Sequence, residues 1–399
     1  MNNNKNLNIC GVIAEYNPLH NGHVYHFNNI DADIKILVMS SSFTMRGDLS
    51  IFDKFTKTKQ ALDLGLDLVV ELPFSLAVER ADIFALNSVR ILNMLQANNL
   101  IIGSEENNIE LYKKYYDEFN INNINRNELS FKVASLNELP FKSNDLLGFF
   151  YYKAINDNNY NINLKTIKRI GNDYLDKDTN DDLYASATAI RNNLDLIDKY
   201  CPSFVSNDKD KILDENKLFK YIKYQILNMD INDLKNIFMV DEGIENRLKD
   251  VYKFNNYDEF LDYLISKRYT RSRIKRMLSY VLVNIKKDEI NKIYENKNDF
   301  VRILGYSSKG KEYINSIKKD LNIYTNIKNG INDILDIEIK ISKTLDNIYD
   351  INLFKKEQSK PIEKGLWIIS QPYIFYYISS PKYFLKNVLA SSLPASASL

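Results

Sequence analysis

Short β-branched runs alternate with helical patterns throughout the first half of the chain, and this alternation is typical of an α/β fold with a parallel sheet. We predict strands at residues 8–14, 34–39, 67–72, 100–103 and 164–170. We predict helices at residues 22–29, 52–64, 80–95, 138–155 and 187–196. Ligands of open α/β sheets bind beyond the carboxyl ends of the strands, so we expect a site near Ala14, Ser40, Leu72 and Gly103.

The second half of the chain has a different pattern. Its long charged-and-apolar segments, such as residues 213–226 and 257–285, favour amphipathic helices. We therefore predict a Rossmann-like nucleotide-binding domain over residues 1–200 and a mostly α-helical domain over residues 201–399. Residues 364–377 are aromatic and β-branched, which fits either a strand returning to the sheet or a packed helix.

Charge and cysteine content limit the classes of partner. The 53 lysines and arginines nearly balance the 52 aspartates and glutamates, so a nucleic-acid surface must be a local patch. The two cysteines, Cys10 and Cys201, are far apart and belong to no zinc or redox motif, which fits a reducing cytosol. The polar start of the chain is unlike a signal peptide, and residues 366–379 are too short an apolar stretch to span a bilayer. We expect a cytoplasmic protein without a membrane partner.

A histidine segment, residues 15–23 (Glu-Tyr-Asn-Pro-Leu-His-Asn-Gly-His), follows the first predicted strand and opens a helix. The start of a helix offers unpaired backbone N–H groups to a phosphate, and Gly22 permits close approach. His20 and His23 are therefore predicted as catalytic donors to an α-phosphate whose charge grows in the transition state. Metal ligation and an ordinary surface position are the alternatives, but no acidic or cysteine partner lies at a recognisable spacing, and we predict no metal site.

A second motif, residues 186–191 (Ser-Ala-Thr-Ala-Ile-Arg), follows the fifth predicted strand. Alone, it would favour a helix cap. Together with the histidine segment it is typical of adenylyl and cytidylyl transferases, in which Ser186, Thr188 and Arg191 would hold the β- and γ-phosphates of ATP.

Two further motifs leave alternatives open. Arg46-Gly47-Asp48, with Asp53-Lys54 shortly after, fits either a border of the same pocket or a solvated turn. The basic run, residues 267–276, fits either an RNA phosphate track or a solvated helix face. On a helix, Arg268, Arg271 and Lys275 would share a face. The predicted RNA-binding residues are Lys267, Arg268, Arg271, Arg273, Lys275 and Arg276.

These motifs in this order resemble the tRNA(Met) cytidine acetate ligases. The resemblance rests on residues 11–23, 71–74, 103–105 and 186–191, and it extends to residues 302–306 and the basic run. It implies that acetate attacks the α-phosphate of ATP, and that the acetyl group then passes to N4 of the wobble cytidine of elongator tRNA(Met). Mg²⁺ is a possible companion of ATP.

The resemblance also implies an ATP site, which maps by motif matching onto Ile13, Ala14, Glu15, Tyr16, Asn17, Pro18, Leu19, His20, Asn21, Gly22, His23, Val24, Tyr25, His26, Gly103, Asn144 and Arg169. Three places depart from the family pattern. Ser41-Ser42 stands where Gly-Asn is usual, Asp48-Leu49 where Glu-Pro is usual, and Leu175 where a histidine is common. We expect a differently shaped loop near the attacking group.

Two rival functions remain. A small-molecule adenylyl or cytidylyl transferase shares the ATP chemistry, but such enzymes are often much shorter than 399 residues. A non-catalytic RNA-binding protein would not need the intact His20, His23, Ser186, Thr188 and Arg191.

Overall fold

The computed structural model describes residues 7–118, 141–170, 183–296 and 299–365. Through Ile362, the described residues form one compact unit. Both predicted domains contribute to that unit, and the boundary at residue 200 stays a prediction. Leu175 and all but the first two residues of the segment 364–377 lie outside the described ranges.

The first half of the chain builds a parallel sheet with the strand order β5-β4-β1-β2-β3. All five predicted strands are confirmed, with ends that shift by two residues at most. Buried β-branched side chains on neighbouring strands, such as Ile36 and Val70, form the core, as expected for a parallel sheet covered on both faces. The strands are β1 Ile9–Ala14, β2 Ile34–Ser40, β3 Leu68–Leu72, β4 Asn99–Ser104 and β5 Asn163–Lys168.

The helices between these strands also follow the prediction, with two corrections. The helix predicted at residues 138–155 begins at Ser143, and residues 138–140 lie outside the described ranges. The segment 187–196 is not one helix, because Asn193 is extended and its side chain accepts a hydrogen bond from the backbone of Asp195. The helices of this half are Asn21–Asn28, Lys54–Leu64, Phe74–Ala77, Ala81–Met94, Ile109–Glu118, Ser143–Asp157 and Ala187–Asn192, followed by a short 3-10 turn at Leu194–Leu196.

The second half is mostly helical, as predicted. The long segment 257–285 is two helices, because the side chains of Asn256 and Thr270 each cap a separate helix start. The helices are Ile197–Tyr200, Ser203–Ser206, Asn216–Asn228, Ile231–Asn236, Ile244–Leu248, Tyr257–Leu264, Arg271–Val283, Lys287–Glu295, Ser308–Ile317, Asp333–Tyr349 and Leu353–Glu357, with 3-10 turns at Lys209–Lys211, Lys249–Lys253 and Lys318–Asp320.

This half also returns to the sheet. Strand β6, Val301–Tyr306, runs antiparallel to β3 with Tyr306 opposite Leu68. The two-residue strand β7, Ile323–Tyr324, pairs with β6, and Ile362–Glu363 is a further two-residue strand. The pattern of the sequence predicted no strand here, although the run Val-Arg-Ile-Leu is β-branched and apolar enough to form one.

A buried ionic cluster joins the two halves. Lys54 Nζ lies 2.5 Å from carboxylate oxygens of Glu71 and Glu357 and 2.9 Å from one of Glu338. Arg302 Nη2 is 3.1 Å from Glu357. Three carboxylates thus face two cations, and burial together with Glu338 raises the pKa of Glu71 to about 8.

No helix within the described ranges is long and apolar enough to cross a membrane.

Candidate nucleotide site

A cavity of about 240 Å³ opens at the carboxyl ends of β1 and β4. The chain runs from β1 outward to β2 and β3, and then crosses back to the other side of β1 to form β4. The crevice between β1 and β4 is therefore the switch point of the sheet, where open α/β folds bind their ligands. Fifteen of the predicted ATP-site residues line it: Ile13, Ala14, Glu15, Tyr16, Asn17, His20, Gly22, His23, Tyr25, His26, Gly103, Asn144, Arg169, Ser186 and Arg191.

The other predicted ATP-site residues do not line this cavity. They are Pro18, Leu19, Asn21, Val24 and Thr188. Leu19 is fully buried, and the side chain of Asn21 donates to the backbone oxygen of Leu183. Leu19 and Asn21 thus hold the segment in place without lining the cavity.

The two catalytic candidates are oriented by the backbone of their own turn. His20 caps the helix Asn21–Asn28, and its Nδ1 accepts a hydrogen bond from Gly22 N at 3.1 Å. His23 Nδ1 accepts from His20 N at 3.2 Å. A Cβ at Gly22 would lie 2.8 Å from Cε1 of His20, so glycine is needed for this packing. Because both Nδ1 atoms accept, each neutral ring carries its proton on Nε2, the tautomer that can donate to a phosphate oxygen.

The histidines of this site are neutral near pH 7. Burial, together with the positive charges of Arg169 and Arg191, lowers the pKa of His20 to about 3. Burial likewise lowers the pKa of His26 to about 4 and holds that of His23 well below its ordinary value. The positive charge offered to an anionic ligand thus comes from the arginines, and the histidines contribute hydrogen bonds.

The side chain of His26 also favours a polar ligand in the cavity. Its Nε2 is buried and has no hydrogen-bond partner within the described part of the chain. A buried polar atom left unpaired costs about 1–3 kcal/mol. Because His26 lines the cavity, a bound polar group is the natural partner for that atom.

The second motif is joined to the first by Arg191. Its Nη1 donates to the backbone oxygen of Asn17 at 2.7 Å, and its Nη2 donates to Thr188 Oγ1 at 3.2 Å. Ser186 caps the helix Ala187–Asn192, since its Oγ accepts from Ala189 N at 3.0 Å. The capping interpretation of this motif is therefore correct, and its arginine nevertheless lines the cavity.

Glu105 organises the third side of the cavity. It accepts a short hydrogen bond from the Asn144 side chain, and its Oε1 lies 3.8 Å from Arg169 Nε. Arg169 also packs over Gly103, where a Cβ would lie 3.3 Å from its Cγ. Sequence reasoning missed this role of Glu105, although its position directly after β4 was a usable signal.

The pocket loop, defined here as Thr44–Leu49, borders the cavity through Thr44, Met45, Arg46 and Asp48. Of the two interpretations of this motif, the pocket border is therefore right. Asp53 and Lys54 do not take part: Asp53 caps the helix Lys54–Leu64, and Lys54 belongs to the buried ionic cluster.

Lys57 is a buried residue that sequence reasoning did not identify. Its Nζ donates to the backbone oxygens of Glu15, Ser40 and Ser41 and to Ser50 Oγ, at 2.9 to 3.1 Å. Burial lowers its pKa to about 7, although Glu15 and Asp53 oppose that shift. Lys57 thus ties the carboxyl ends of β1 and β2 together directly behind the cavity.

The basic run divides between two environments. The helix Arg271–Val283 begins too late to include Arg268, so the expected shared face of Arg268, Arg271 and Lys275 does not form. Lys267 and Arg268 are exposed, and Arg271 and Arg273 are partly exposed. Lys275 and Arg276 instead contact the pocket loop.

The partly exposed arginines already have acidic neighbours. Arg271 pairs with Asp258 and Asp262. Arg273 lies over the ring of Tyr269, 4.1 Å from its centroid, and is 3.8 Å from Glu242. An RNA phosphate would compete with these carboxylates.

A turn between strand and helix that carries two histidines at the switch point of a parallel sheet is typical of nucleotidyltransferases. The family model described as HIGH Nucleotidyl Transferase matches residues 7–361.

Within the residues that the structure describes, no group of three or more His, Cys, Asp or Glu side chains could hold a metal ion.

Similar proteins show to which family of nucleotidyltransferases the chain belongs. The chain is 37% identical over 340 residues to the tRNA(Met) cytidine acetate ligase of Oenococcus oeni, covering 80% of this chain and 89% of that one. It is 35% identical over 376 residues to the enzyme of that name from Caldicellulosiruptor saccharolyticus, covering 84% and 93%. The chain belongs to the tRNA(Met) cytidine acetate ligase family.

Solved structures agree with this assignment of the fold. Thermotoga maritima TmcAL in its apo form superimposes with a TM-score of 0.77 at 26% identity, covering 90% of this chain and 99% of that one. The same protein bound with alpha-thio ATP superimposes with a TM-score of 0.78 at 24% identity, with the same coverage.

Proposed function

We propose that this chain activates acetate with ATP and transfers the acetyl group to N4 of the wobble cytidine of elongator tRNA(Met). Family membership supports the overall reaction. The observation that carries the chemical assignment is the pair His20 and His23, whose Nδ1 atoms are both occupied as acceptors beside the arginines of the cavity.

In the first step, an acetate oxygen attacks the α-phosphorus of ATP. The bond from that phosphorus to the bridging β-oxygen breaks, pyrophosphate leaves, and acetyl-adenylate remains. Negative charge grows on the non-bridging α-oxygens in the transition state, where Nε2–H donors of neutral imidazoles stabilise it without losing a proton. Removing one such donor typically costs about 10² to 10³ in rate.

The arginines would hold the remaining phosphates. Arg191, in the second motif, and Arg169, directly after β5, line the same cavity as the histidines, and planar guanidinium groups bind phosphate oxygens in pairs. Ser186 lines the cavity beside Arg191, whereas Thr188 would act through its hydrogen bond to that arginine. Mg²⁺ would enter bound to the phosphates of ATP.

In the second step, the N4 amine of cytidine attacks the acetyl carbonyl. The bond from that carbon to the adenylate oxygen breaks, AMP leaves, and N4 loses one proton. The cations of the basic run that remain accessible, Lys267, Arg268, Arg271 and Arg273, would hold the tRNA backbone. A tRNA acceptor supports a cytoplasmic location for the enzyme.

The test is to incubate the protein with ATP, labelled acetate and tRNA(Met) transcript, and then to digest the RNA to nucleosides. Labelled N4-acetylcytidine is the expected product, and a transcript with uridine at the wobble position is the matched control. Pyrophosphate release that needs a small metabolite and ignores acetate would favour a small-molecule transferase. Absence of ATP turnover would favour a non-catalytic RNA-binding protein.

A further inference from the structure

The pocket loop is packed directly against the helix that carries the second half of the basic run. Gly47 has a φ of +84°, and a Cβ at this position would lie 2.3 Å from the backbone nitrogen of Arg276. Nothing larger than glycine fits between the loop and the helix. The distance between these two backbones is therefore set by contact.

Lys275 connects the loop to the second half by charge. Its Nζ lies 2.6 Å from Asp48 Oδ1 and 2.8 Å from Glu215 Oε2, and its side chain is only 13% exposed. Glu215 Oε1 also accepts a hydrogen bond from the backbone of Leu49 at 2.9 Å. Lys275 thus holds the loop at two places: directly at Asp48 and, through Glu215, at Leu49.

Burial and charge pairing oppose each other in this cluster, and burial raises the pKa of Glu215. Burial alone would lower the pKa of Lys275, but Asp48 and Glu215 raise it above the ordinary lysine value. Burial opposes ionisation of Asp48 as well, yet Lys275 brings the pKa of that carboxyl below its ordinary value. Arg46 and Arg191 act on Asp48 in the same direction as Lys275.

The other end of the loop is attached to the nucleotide site. Glu15, which follows β1 and lines the cavity, accepts a hydrogen bond from Met45 N at 2.6 Å. Within the loop, Thr44 and Gly47 bond to Asp48 O and Thr44 O, each at 2.9 Å. The turn is internally closed, so a displacement at Asp48 moves Met45 and Arg46, and both of these line the cavity.

We propose that Lys275 is a positioning residue for adenylate formation: it holds the pocket loop, and with it Arg46 and Asp48, against the nucleotide site, and it does not bind a tRNA phosphate. This rests on the proposed function for its substrate and replaces the earlier prediction of a tRNA contact at this position. The physical reason is that a cation held by two carboxylates in a mostly buried site would have to leave both unpaired to reach RNA.

The main test is the variant Lys275→Met, assayed without tRNA by single-turnover formation of acetyl-adenylate. We expect a fall of about 10- to 100-fold, because misplacement by about 1 Å near a reacting group has effects of this order. The Kd for ATP should stay within about threefold, since the histidines and arginines hold the phosphates. Lys275→Arg, which keeps the charge, should recover most of the rate.

Two controls separate positioning from general damage. Lys292→Met removes a lysine that is 61% exposed and pairs with Asp333 at 2.9 Å, and it should leave the rate unchanged. Gly47→Ala pushes the loop from the helix without altering charge, and it should lower the rate with the same small change in ATP affinity. It also serves as the deciding variant if Lys275→Met does not fold.

Wild-type rates in both Lys275→Met and Gly47→Ala would overturn the proposal. So would a fall of about one in the salt slope of tRNA binding for Lys275→Met, because that is the signature of a lost phosphate contact. Hydrogen exchange of the amides of Thr44–Leu49 tests the same idea without any substrate and should be at least about tenfold faster in Lys275→Met. If the wild-type protein makes no acetyl-adenylate while Lys275→Met still exchanges faster, the proposed function is refuted, and only the attachment of the pocket loop by Lys275 stands.

Discussion

The histidine segment and the basic run are both polar motifs at the start of a helix, yet their residues are distributed differently. His20, His23 and His26 all line one cavity. The basic run places some cations at the surface and directs Lys275 inward to the pocket loop. The difference arises because the first motif is attached to the end of a buried strand, whereas the second lies on a helix that presents different residues to solvent and to the interior.

The largest expected effect belongs to the histidine segment. His23→Ala removes one donor to the α-phosphate, so acetyl-adenylate formation should fall by about 10² to 10³. Measured tRNA affinity should be nearly intact. If His23→Ala forms acetyl-adenylate normally but binds tRNA weakly, the histidine segment binds tRNA and its assignment to the α-phosphate is wrong.

Acid stability provides a second test of the histidine segment. The pKa of His20 in the folded protein is about 3, below the value of about 6.5 in an unfolded chain. As the pH falls below about 6.5 the unfolded chain binds the proton first, so this group lowers the stability by about 1.4 kcal/mol per pH unit until its folded pKa is reached.

His20→Asn keeps a side-chain acceptor for the helix cap and removes the titration. Relative to wild type, the variant should gain about 2 kcal/mol in free energy of unfolding between pH 6.5 and pH 5, measured by urea denaturation at each pH. This difference is informative because buried carboxyls with raised pKa values, such as Glu71, affect both proteins equally. An unchanged difference would show that His20 is solvated.

The exposed part of the basic run is tested by salt dependence. Arg271→Met combined with Arg273→Met should weaken tRNA binding and reduce the slope of log K against log salt by about 1 to 2. The slope should fall by the smaller amount if Asp258 and Asp262 already neutralise part of the charge of Arg271. ATP-dependent adenylation is measured in the same double variant, alongside tRNA binding. An unchanged slope would make this part of the run a solvated helix face.

The smallest effect is expected at Thr188, which does not line the cavity. Thr188→Val removes the acceptor for Arg191 Nη2 while preserving the shape of the side chain. The loss of one such hydrogen bond is worth about 0.5–1.5 kcal/mol, so the Kd for ATP should rise by about two- to tenfold. A loss of several hundredfold would indicate that Thr188 contacts the nucleotide directly.

Local sequence patterns predicted the residues of the nucleotide site better than they predicted the structure of the second half of the chain. The β-branched runs, the glycine at Gly22 and the cap at Ser186 depend on residues within one turn, and each was predicted from those residues alone. Lys57 and Glu105 were missed because each has an important partner far away in the chain: Glu15 lies 42 positions from Lys57, and Asn144 lies 39 positions from Glu105. Nothing in the residues around Lys57 distinguishes a buried lysine from a surface one.

By itself, the sequence determined the alternation of strands and helices, the strand end at which a phosphate would bind, and the resemblance to one family of ligases. Only the tertiary structure decided that β6 joins the sheet, that the pocket loop borders the cavity, and that Lys275 belongs to that loop. The physical reason is that periodicity encodes which residues share a face of their own element. The element that will cover that face is chosen by packing and charge pairing across the whole chain.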